Sequence, residues 1–76
     1  MNQKRRRELG KAMEAIDLAI SVVEDARDEE YDGIDNMPYN LEGTERYGQM
    51  EEAAENLDQT AELLSEAKDC LEEAMK

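Results

Sequence analysis

Apolar residues recur at helical spacing through two long stretches of this chain, and the pattern is interrupted once between them. In the first stretch, Leu9, Met13, Ile16, Ile20 and Val23 follow a 4-3-4-3 spacing, the seam of a coiled-coil-like packing. A second row, Ala15, Leu18, Val22 and Ala26, runs beside it. At ~100° per residue the two rows together cover roughly 220° of the helix circumference. One partner helix needs only a narrow stripe, so this width predicts contact with more than a single neighbour. The pattern places the first helix over about residues 4 to 35.

In the second stretch Leu57, Leu64 and Leu71 recur every seven residues, with Ala53, Ala61 and Met75 beside them. Leu63, Ala67, Cys70 and Ala74 form one flank, and Tyr47, Met50 and Ala54 widen the other. Thr44 is the N-cap and Gly43 permits a sharp entry, so the second helix is expected over about residues 44 to 75.

Between the helices, Pro38 disfavours helical geometry at Met37, while Asn36 and Asn40 suit a turn by hydrogen-bonding nearby backbone. The loop is expected over about residues 36 to 43. Two helices of similar length joined by a short loop pack antiparallel. The predicted fold is therefore all-α, a single helical-hairpin domain over residues 1–76. Its wide apolar arcs predict self-association, most simply a homodimer forming a four-helix bundle.

Size points the same way. A chain of 76 residues sits where one core gives marginal stability, and small domains usually add a staple, a metal or a partner. The single cysteine, Cys70, excludes an internal disulfide, and the absence of histidine removes the commonest neutral metal ligand. No apolar run approaches the ~20 residues that span a bilayer, and no signal-peptide core follows the basic start. A cytoplasmic location is expected, with no membrane partner and no cofactor.

The net charge of −12 is unevenly placed. Lys4, Arg5, Arg6, Arg7 and Lys11 gather near the N-terminus, and Arg27, Arg46, Lys68 and Lys76 are the only other cations. An acidic surface of this kind repels nucleic acid and attracts basic partners. The arginines have two readings. In an antiparallel hairpin they lie near Asp69, Glu72 and Glu73, which would give cross-helix ion pairs. Alternatively Arg5, Arg6 and Arg7, with Arg46, form an anion site.

Candidate chemistry adds little. Asp28-Glu29-Glu30-Tyr31-Asp32-Gly33 opens like a calcium-binding loop, but its twelfth position is Tyr39 where a bidentate glutamate is required. A carboxylate-bridged metal bundle needs histidines that are missing. Cys70 lies on an apolar flank without a base, and the glycines form no phosphate loop. An enzyme is not expected. Met37, Tyr39, Leu41 and Tyr47 are large groups around the turn, either a plug closing the hairpin or a partner-binding patch.

With Met1-Asn2, Arg5-Arg6 and Leu9, Asp35-Asn36-Met37-Pro38, Asn40-Leu41 with Gly43, and Glu45-Arg46 leading into Met50-Glu51, the chain resembles a family of small acidic proteins of bacteriophages and prophages of Gram-positive bacteria. The resemblance spans nearly the whole chain, is distinctive in the loop, and implies an accessory gene of a mobile element, often one acting against host defences. On that basis the expected function is non-enzymatic binding inside the bacterial host cell, with an acidic surface that imitates DNA and occupies a basic host defence protein, as some anti-restriction and anti-CRISPR proteins do. The alternatives are an oligomeric sponge that captures a small anionic nucleotide through its arginines, or a purely structural helical assembly part.

Overall fold

The computed structural model describes residues 1–38, 40 and 43–76. Helix α1 spans Gln3–Asp35 and helix α2 spans Glu45–Ala74. They lie against each other as a rod with extents of 59 × 14 × 13 Å.

The helix ends follow from local chemistry. Asn2 caps α1, its side-chain oxygen accepting a hydrogen bond from the Arg5 backbone N–H at 2.7 Å. At the other end the Met37 N–H donates to the Ile34 carbonyl at 3.1 Å, a tightened last turn just before Pro38. Gly43 adopts φ 84°, a left-handed conformation that a side chain would strain. Thr44 then caps α2 by accepting from the Tyr47 N–H at 3.3 Å. The segment Asp28–Gly33 is the last part of α1, so its carboxylates are held on helical backbone and not around a loop.

The seam is longer than the apolar pattern alone indicates. On α1 the half-buried positions run Leu9, Met13, Ile16, Ile20 and Val23, and the same 4-3 alternation continues through Arg27, Glu30 and Ile34. On α2 it runs Tyr47, Met50, Ala54, Leu57, Ala61, Leu64, Lys68, Leu71 and Met75. Tyr47, Met50 and Ala54 are thus part of the seam itself, where the sequence reading set them on a flank. The reason is geometric: a heptad seam needs two residues per seven, and Ala54, Ala61 and Lys68 supply the set that alternates with Leu57, Leu64 and Leu71.

Two cross-helix ion pairs show the register. Asp17 meets Lys68 at 2.7 Å and Arg27 meets Asp58 at 3.0 Å. Ten residues forward on α1 are ten residues back on α2, so the antiparallel pairing is continuous between them. Gly33 gives a third point, since a side chain there would run into the end of Met50.

Packing between only two helices leaves little fully enclosed. Among the described residues only Ala54 and Ala61 are buried. Every other seam side chain keeps one edge in solvent.

Candidate functional site

The register sorts the remaining surface into two unlike faces. Ala12, Ala19, Ala26 and Gly33 form a heptad row on one side of the α1 seam, and Ala53, Thr60, Ala67 and Ala74 form the corresponding row on α2. In an antiparallel pair both rows fall on the same face, and the register brings them level. Ala12 stands by Ala74, Ala19 by Ala67, Ala26 by Thr60 and Gly33 by Ala53, each within about one residue. Beyond these small residues the face rises into Ala15, Val22 and Leu18 on α1, and Leu63 and Cys70 on α2. Leu18 is 67% exposed, Val22 59% and Leu63 57%, values that no folding contact within the hairpin accounts for.

The opposite face is acidic. Asp17, Glu24 and Asp28 on α1 face the same way as Glu51, Asp58, Glu62 and Glu72 on α2. Arg27 is held within this face at 3.0 Å from Asp58, 3.2 Å from Asp28 and 3.8 Å from Glu24. Its hydrogen bonds, to Asp58 first and then Asp28, raise its pKa above the ordinary arginine value. Lys68 is likewise raised above the ordinary lysine range, chiefly by its hydrogen bond to Asp17. An open groove of ≈ 260 Å³ lies here between Ile20, Glu24, Arg27, Asp58 and Glu62. It is small and polar, unlike the enclosed apolar cavities that hold organic ligands. Among the described residues no cluster of three or more acidic or thiol side chains has metal-holding geometry, and no helix is long and apolar enough to cross a membrane.

The basic cluster does not form the cross-helix ion pairs that the sequence suggested. Lys76 is the cation that pairs with Glu73, at 2.8 Å, and Arg5, Arg6 and Arg7 form no ion pair with Asp69, Glu72 or Glu73 among the described residues. The register explains this. Glu73 stands level with Ala12, Glu72 with Met13 and Asp69 with Ile16, while the three arginines extend beyond the level of Ala74, where α2 ends. Consecutive residues also point ~100° apart around a helix, so Arg5, Arg6 and Arg7 diverge. Arg46 sits at the loop end of the rod, and one hairpin does not bring it to the other three. Of the loop residues, Met37 and Tyr47 are half-buried, and Tyr39 and Leu41 lie outside the described residues.

Arg27, Lys68 and their partners Asp17 and Asp58 were missed from the sequence because charged residues were read as surface. Continuing the 4-3 alternation past Val23, and inserting the missing member between Leu64 and Leu71, places both cations in the seam. Compared with known proteins, the chain matches no family model, no curated protein and no solved structure.

Proposed function

We propose that this is a non-enzymatic binding protein that works as a self-associated four-helix bundle, apolar faces inward, with its acidic faces occupying a basic partner. The observation that carries the reading is surface area. The hairpin exposes 5803 Å², against about 4,700 Å² for a folded monomer of its mass. The excess, roughly 1,100 Å², exceeds the ~800 Å² that each partner buries in a standard interface. The large apolar side chains most exposed are Leu18, Val22 and Leu63, with Met1 and Tyr31 less so.

With the apolar face covered, what remains outside is the acidic side of each hairpin. Its carboxylates line a rod 59 Å long, and regularly spaced negative charge of that kind offers a basic groove what a nucleic-acid backbone offers. The partner we propose, on the resemblance to phage and prophage proteins, is a nucleic-acid-binding host defence protein.

The test is capture from a bacterial lysate with competition by duplex DNA. Wild-type protein is expected to retain a basic protein that DNA displaces and that salt weakens steeply. A variant carrying Glu24→Lys, Glu51→Lys, Glu62→Lys and Glu72→Lys spares the two cross-helix ion pairs and is expected to lose that partner. Retention of the same partner by the reversed variant contradicts the reading.

A further inference from the structure

The unpaired basic cluster has a complement elsewhere on the same helix face. Along the outer side of α1, Lys4, Arg7 and Lys11 come first, then Ala15, Leu18 and Val22, then Asp25, Glu29 and Asp32. None of the nine lies in the seam with α2, and all nine are exposed. The stripe is therefore cationic at one end, apolar in the middle and anionic at the other. Residues 4 and 32 are ~40 Å apart at 1.5 Å per residue, too far for the two ends to satisfy each other within one helix.

Only one arrangement of two such stripes is attractive at both ends. We infer that two copies associate with their α1 helices antiparallel, about a two-fold axis at the level of Leu18 and Ala19. Residue 19 is the midpoint of Gln3–Asp35, so the helices overlap along their full length. Lys4 of one copy then lies alongside Asp32 of the other, Arg7 alongside Glu29 and Lys11 alongside Asp25. The two-fold axis repeats each contact, as an isologous interface requires. Leu18 meets Leu18 of the second copy at the centre, and Val22 falls beside Glu14 and Ala15. A parallel arrangement sets cation on cation and acid on acid.

The second helix agrees with this placement. Its apolar flank, Leu63, Ala67, Cys70 and Ala74, is centred between Ala67 and Cys70, a point the register sets level with Ile16 and Asp17. The axis therefore passes within about two residues of the middle of that flank. The arrangement gives Lys4, Arg7 and Lys11 partners that the isolated hairpin denies them.

This inference rests on the self-association proposed above, and a pair of measurements separates the two. In a Cys70→Ser background, Leu18→Cys is expected to form an intermolecular disulfide under mild oxidation, while Lys4→Cys is not, because the two copies of residue 4 sit at opposite ends. Charge reversal gives the second arm. Lys4→Glu, Arg7→Glu and Lys11→Glu together are expected to weaken the dimer roughly 10- to 100-fold at low salt, each exposed pair shifting the constant by up to about fivefold. Adding Asp25→Lys, Glu29→Lys and Asp32→Lys to the same chain is expected to restore it. Circular dichroism confirms that each variant remains helical. A dimer that cross-links at residue 4, or that ignores the charge reversal, overturns the antiparallel arrangement and leaves the four-helix reading standing. A monomeric wild type overturns both.

Discussion

Ala54 has no exposed surface and Ala61 is 7% exposed, because both sit in the seam where the two backbones approach. At each, a methyl group fills the space that a larger side chain would need. Ala54→Leu adds three carbons where nothing can move aside without parting the helices, and is expected to cost about 1–3 kcal/mol. Urea denaturation at fixed protein concentration measures this, and an unchanged midpoint would mean that α1 and α2 are not in contact there. Gly33 is a milder case: a methyl placed on it meets only the mobile end of Met50. The two alanines and this glycine keep the rod narrow along its length. They also explain why so little surface is removed from water by one hairpin.

The helices as elements were plain from the sequence, and their exact pairing was not. Thr44 caps α2 and Pro38 ends α1, signals carried by single residues, while the Asn2 cap of α1 was not read from the sequence. The arginine pairing failed because it assumed flush helix ends. Where the ends fall depends on Asp17–Lys68 and Arg27–Asp58, pairs formed by residues that hydropathy assigns to the surface. Both cations occupy seam positions, where a charged group favours the one register that supplies its partner. A pH dependence follows for Lys68. Its pKa is raised in the folded chain, so its contribution is fully present below the ordinary lysine value of about 10.4 and is lost as pH climbs through the raised value. Thermal melts across this alkaline range are expected to fall more steeply for wild type than for Lys68→Met. Parallel curves would show that the Asp17 contact contributes nothing to stability.

At the scale of the whole molecule, the two faces ask for different surroundings. The acidic face is at ease in water, while Leu18, Val22 and Leu63 stand on a surface of small residues that a second copy can approach closely. A net charge of −12 opposes association of two copies in general, so an attractive contact requires the cations to meet acids across it. Sedimentation equilibrium at micromolar concentration tests the self-association directly. The wild-type chain is expected at twice its 8.7 kDa mass, and Leu18→Asp combined with Leu63→Asp is expected to shift it to the single-chain mass, since a carboxylate on each helix would be trapped without a partner. A wild-type chain that sediments as a well-folded monomer would contradict the account.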